Sequence, residues 1–256
     1  MGGTKLCSRH LPQDIIYCVG GVSVFFPLFS CNAVTDGEQS CHTSVINGKL
    51  RAEVIELVAS VLDANVSNQQ QMYLLSGLSI MGFLLQSATP KLLNIETLSA
   101  LKYMFDVLRN CGNLSLSLSL SLSRDYLTDR NRHLDIIVFP IYSGMSKVLL
   151  KDAILQIYLN PQIWVHSSYE VQRDLYMFLL KYFETDGRFL PLLCGLPRII
   201  DIVCQYYSEY VDCRCAVGSK SLLRTGNKQV VGDRPKIEEI CKLRLLLLSL
   251  AEMSLK

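Results

Sequence analysis

The sequence predicts an all-α protein built from successive amphipathic helices. Apolar residues recur at the 3.6-residue helical spacing in segment after segment, and no strand-rich stretch or Gly-rich phosphate loop interrupts them. Across 256 residues, 50% are apolar and 19% charged, enough to bury a continuous core. A helical hairpin cannot bury both of its faces alone, so successive hairpins stack and leave long grooves suited to proteins or peptides.

Taken in order, the first strong segment follows Asn47-Gly48, where Leu50, Val54, Ile55, Leu57, Val58, Val61 and Leu62 form one wide apolar face. The second spans residues 68–87; Met72, Leu75, Leu78, Ile80 and Leu84 make it apolar nearly all round, which places it between neighbours. Its central run, Leu74 to Leu85, is shorter than the roughly 20 residues of a spanning helix and reads as buried. A third helix, over 94–111, should stop at Gly112. A fourth, Lys147 to Leu159, ends before Pro161.

The second half repeats the pattern. Val171, Leu175, Phe178, Leu179, Tyr182 and Phe183 form one stripe over 169–183, with Ser167 or Ser168 as N-cap. Pro197 suits the first turn of a helix carrying Ile199, Ile200, Ile202, Val203 and Tyr206, because its missing N–H is not needed there. Pro235 plays the same part before Ile237, Ile240, Cys241 and Leu243, and Glu238 and Glu239 favour the positive end of that helix.

Two stretches do not read as helix. Residues 207–233 are basic and glycine-punctuated, which suits a surface loop. There Lys220, Arg224 and Lys228 are candidates for an anionic docking patch, although a solvated loop is the plainer reading. Leu114 to Ser123 is a strict Leu-Ser alternation, whose period of 2 would suit a strand but defines no unique pairing register. We read it as part of a low-complexity insertion, of the kind a retained intron would supply.

Chemistry-bearing residues are sparse. With 25 basic and 23 acidic residues the formal charge is +2, so no whole-chain field draws the protein to nucleic acid. The four histidines (10, 42, 133 and 166) are far apart, and no nucleophile elbow, His-Glu-x-x-His or Walker motif occurs. No catalytic residue and no cofactor is assigned. The ten cysteines lie at scattered spacings and read as small core residues of a reducing compartment. Only Cys213-Arg214-Cys215 clusters tightly; without a second knuckle or a nearby histidine, no metal site is assigned.

Three separated elements carry a family resemblance. Gly20-Gly21-Val22-Ser23-Val24-Phe25-Phe26-Pro27-Leu28-Phe29, then Leu159-Asn160-Pro161-Gln162-Ile163-Trp164-Val165-His166, then Asp233-Arg234-Pro235-Lys236 occur in the order of the armadillo-like region of BEACH-domain proteins, the neurobeachin group, which the chain resembles. The resemblance marks Gly20, Gly21, Pro27, Leu28, Asn160, Pro161, Trp164, His166, Arg234 and Pro235 as architectural signature residues. Trp164, the sole tryptophan, should be a core anchor, and His166 a structural histidine at a helix entry.

The resemblance further implies an armadillo-like α-solenoid in two parts, residues 1–112 and 146–256, around the irregular insertion at 113–145. The apolar run from Leu245 to Leu250 lacks the polar face of a capping repeat, so we expect a segment of a larger scaffold. Family members of this type are large cytoplasmic proteins of vesicle trafficking and membrane dynamics. A non-catalytic protein-binding role is thereby expected, with membranes reached only through other domains of the parent chain. The rival reading is an unrelated armadillo-type adaptor or transport receptor.

Overall fold

The computed structural model describes residues 12–30, 41–125, 145–185, 195–207, 221–224, 229–233 and 235–253. Helix α1 (Pro12–Val19) leads through a glycine corner and a 3-10 helix (Gly21–Phe25) into the short α2 (Phe26–Ser30). The long α3 (Cys41–Leu62) is followed by α4 (Val66–Leu74) and α5 (Gly77–Gln86), then by α6 (Ile95–Asp125). Helix α7 (residues 145–153) passes into a π-helical turn (Ile154–Tyr158) before α8 (Pro161–Trp164) and α9 (Tyr169–Thr185). The described chain closes with α10 (Gly195–Tyr206), strands β1 (Ser221–Arg224) and β2 (Gln229–Asp233), and α11 (Ile237–Met253).

Helix contacts arrange these elements in two rows. Helix α3 packs on α6, α6 on α9, and α9 on α11. Alongside, α5 meets α2, the π turn and α8, while α10 packs against α11. This is the solenoid of stacked helical hairpins that the family resemblance implies, built from the helices that the periodicity predicts. A single core runs through it, from Ile55, Val58 and Leu62 through Leu101, Met104 and Phe105 to Ile154, Trp164, Leu175 and Leu179, and on to Leu243 and Leu247. Phe105 sits at its centre, with the rings of Tyr158, Phe178 and Tyr182 edge-on at 5.3, 5.0 and 4.6 Å, the geometry that aromatic quadrupoles favour.

Local chemistry sets the helix ends. Asn65 Oδ1 accepts from Asn68 N at 2.9 Å to start α4, and Asn94 Oδ1 accepts from Thr97 N at 2.9 Å to start α6. Ser168, rather than Ser167, caps α9, its Oγ accepting from Val171 N at 3.5 Å. Glu239 Oε2 accepts from Lys236 N at 2.8 Å, closing the entry to α11 behind Pro235.

Five expectations are corrected. Helix α3 begins at Cys41 and runs through Asn47-Gly48 instead of starting after it. Gly48 is tolerated mid-helix because a Cβ there would stand 2.9 Å from Asn94 Nδ2, so its lack of a side chain admits the α6 cap. The single helix read over 68–87 is two, broken where Ser76 adopts φ 50°, ψ 38°. Helix α6 does not stop at Gly112, and residues 113–125, expected to be irregular, continue it through the Leu-Ser alternation. Leucine is a strong helix former, and i→i−4 bonding needs no partner strand, so the local preference outweighs the period-2 pattern.

The basic stretch over 207–233 contains an antiparallel hairpin, pairing Leu223 with Val230 and Arg224 with Gln229, where we read a loop. Lastly, Cys18 and Cys204 are exposed rather than buried in the core. Cys204 lies just off the α10 face that buries Ile199, Ile202 and Val203. Cys213 and Cys215 lie outside the described residues.

Candidate interaction surface

The first signature element forms a corner. Gly20 and Gly21 take φ of 128° and 65°, a region that side chains resist, and Gln71 of α4 donates from Nε2 to Gly20 O at 3.1 Å. A Cβ on Gly21 would coincide with the Gln71 amide, 1.3 Å from Oε1, so the second glycine makes room for the clamp. Pro27 lies in the first turn of α2, where no N–H is required, and Leu28 is exposed on the same helix.

The second element is a tighter corner. Asn160 Oδ1 accepts from Gln162 N at 3.2 Å and Asn160 Nδ2 donates to Gln156 O at 3.2 Å, so one amide closes both the π turn and the start of α8. Pro161 occupies the first turn of α8. Trp164 has 0% exposure and donates from Nε1 to Ile157 O at 2.8 Å, which satisfies its only polar atom. His166 is buried at 8% exposure beside Ser167, whose Oγ donates to Trp164 O at 2.7 Å.

These residues do not converge on a site. The glycine corner and the tryptophan corner both support α5, through α2 and α8, whereas Pro235 stands apart at the entry to α11. Arg234, Lys220 and Lys228 lie outside the described residues, and Arg224 is placed in β1, paired with Gln229. Among the described residues no group of three or more His, Cys, Asp or Glu could hold a metal ion. Nor, among them, is any single helix long and apolar enough to cross a bilayer; Pro12–Val19 and Gly21–Phe29 would pass only as a pair bent by 81°.

What the structure does present is an apolar surface on α4 and α5. The run Leu74 to Leu85, expected to be buried, is covered on one side only. Leu78, Met81 and Leu85 are in the core, while Leu74 is 79% and Phe83 67% exposed, with Tyr73, Leu75 and Ile80 exposed beside them. Gly82 brings the covered side close to the π turn, since a Cβ there would stand 2.6 Å from Gln156 O. The corner borders an open groove of about 330 Å³ lined by Met72, Tyr73, Leu74, Ser76, Leu78, Ser79, Leu149 and Asp152. Burial pushes the Asp152 carboxyl above the usual carboxylate range, an effect that the neighbouring Lys151 only partly offsets. Sequence reasoning missed this groove, although the signal was present: a helix apolar all round needs cover on every side.

Comparison with known proteins places this geometry. The family model described as the Neurobeachin/BDCP, DUF4704 alpha solenoid region matches residues 1–131 and 132–256. The chain belongs to that family. It is 48% identical over 262 aligned residues to BEACH domain-containing protein B of Arabidopsis thaliana, covering all of this chain and 9% of that protein. Putative neurobeachin homologs of Caenorhabditis briggsae and Caenorhabditis elegans are 23% and 25% identical over 78% of this chain and 6% of each relative. The chain thus spans less than a tenth of the length of these relatives. No solved structure matches it. Family membership removes the rival reading of an unrelated armadillo-type adaptor.

Proposed function

We propose that this solenoid segment is a non-catalytic protein-interaction module of a BEACH-type scaffold acting in vesicle trafficking and membrane dynamics. The observation that carries the reading is the uncovered apolar side of α4 and α5, because exposed side chains as large as Leu74 and Phe83 cost solubility unless a partner covers them. The rows of stacked helices supply a rigid support for such a surface. The parent protein acts on the cytoplasmic side of endomembranes, and this segment reaches them only through other domains of that parent.

The test is deletion of residues 1–256 from the complete protein, followed by quantitative recovery of its partners and an assay of cargo sorting. Loss of both, with parent abundance unchanged, is the expected outcome; undiminished recovery and sorting would refute the reading. Liposome flotation of the 256-residue chain checks the membrane clause. Weak, salt-insensitive binding to anionic vesicles is expected, and strong salt-sensitive binding would instead make the Lys220, Arg224 and Lys228 region a membrane site.

A further inference from the structure

Resting on the binding-module reading, we propose that the groove between the α4–α5 corner and α7 receives a short segment of a partner protein in which an apolar side chain is followed by a lysine or arginine. The apolar group enters beside Met72, Leu78 and Leu149, and the cation reaches Asp152.

The chemistry of the lining selects this occupant. Leu74 and Tyr73, 79% and 45% exposed, line the groove and offer apolar contact that the fold itself does not use. Asp152 is the only charged lining residue, and among the described residues it makes no hydrogen bond or ion pair. Asp152 is partly desolvated, and its sequence neighbour Lys151 offsets that cost only in part without forming an ion pair with it, so packing does not explain its presence. An incoming ammonium or guanidinium would satisfy it, and in that half-apolar setting the bond is stronger than at an open surface.

Other ligands fit less well. A lone carboxylate offers one ligand where a metal needs several. Anionic lipid headgroups and nucleic acid phosphates would be repelled by Asp152. A volume of about 330 Å³ admits a few side chains, as at the small end of the roughly 300–1,000 Å³ range of ligand pockets. That suits a linear segment better than a folded domain.

The probe is a pool of short fluorescent peptides carrying Leu or Phe followed closely by Lys or Arg, with a matched pool carrying Glu or Asp in place of the cation. Binding to the 256-residue chain is read by fluorescence anisotropy. The basic pool should bind about tenfold more tightly than the acidic pool, and Asp152→Asn should abolish that preference. Leu74→Ser should weaken both pools, with circular dichroism confirming that the variant is folded; Tyr73→Ser serves the same purpose if it is not.

Equal binding of the two pools, a preference that survives Asp152→Asn, or no binding of either pool overturns the proposal. So does concentration-dependent self-association that Leu74→Ser removes, which would assign the groove to a second copy of the chain. Placed in the parent protein, Asp152→Asn separates this proposal from the broader one. Partner recovery lost on deletion of residues 1–256 but retained in Asp152→Asn refutes the groove and leaves the module reading standing, whereas recovery retained in both refutes the module.

Discussion

The corner at Asn160-Pro161 and the corner at Leu75-Ser76 are both abrupt joins between short helices, yet they use their apolar residues in opposite ways. At the first, Trp164 is wholly enclosed and its indole N–H bonded, and Asn160 bonds on both sides. At the second, a serine in the left-handed region turns the chain, and Leu74 is left 79% exposed. One corner buries its large side chains in the fold; the other leaves them exposed. The residues that carry the family resemblance at this corner, Asn160, Pro161 and Trp164, are therefore not among those that line the proposed groove.

Substitutions should divide along that line. The largest effect belongs to the enclosed corner: Trp164→Ala should destabilise by about 3–5 kcal/mol, read from denaturant unfolding, because it opens a cavity and orphans the Ile157 carbonyl. A loss below about 1 kcal/mol would place that ring at the surface. Next comes the contact joining the corners. Gly82→Val should cost about 1–3 kcal/mol, since its Cβ would press on the Gln156 carbonyl, and an unchanged unfolding midpoint would deny the close approach of α5 to the π turn.

At the glycine corner, Gly21→Ala should cost about 1–2 kcal/mol through its φ of 65° and the displaced Gln71 amide. If Gln71→Ala in the same background recovers none of that loss, the backbone conformation and not the clamp is responsible. The smallest effect is at the open corner, with Asp152→Asn. A carboxyl whose pKa is raised on folding is destabilising when ionised and relieved as pH falls, so removing the charge should leave stability unchanged or slightly higher at neutral pH. A marked fall in melting temperature would mean that the carboxylate supports the fold.

The legibility of the sequence follows the same division. Helix α9 could be read from its pattern because Val171, Leu175, Leu179 and Phe183 lie on one stripe and the remaining faces are largely polar. Pro161 marked the end of the preceding helix, and it opens α8 because it needs no N–H there; Asn160, singled out only by the family resemblance, caps that helix. The break between α4 and α5 was not legible, since serine is an unusual residue at positive φ and Gly77 follows it inside the next helix, where a Cβ would stand 2.4 Å from Met72 Sδ.

The Leu-Ser run misled because its repetitiveness, which defines no strand register, read as an irregular insertion, whereas a helix needs no register and its leucines favour one. The β1–β2 hairpin was hidden for the converse reason: its apolar residues are too few to mark alternation between glycines. The groove was missed by a different route. An apolar run announces that it must be covered but not what covers it, and residues 74–85 read as core until the neighbours' positions showed half of them uncovered.

The most direct test places both properties in one experiment, with thermal unfolding and peptide binding measured on Leu74→Ser in the 256-residue chain. The expected result is a melting temperature within about 2 °C of the parent sequence together with loss of binding by the basic–apolar peptides, because an exposed side chain contributes little to the fold. A melting temperature lowered as far as that of Trp164→Ala, with binding intact, would contradict the account and make the α4–α5 corner another part of the core.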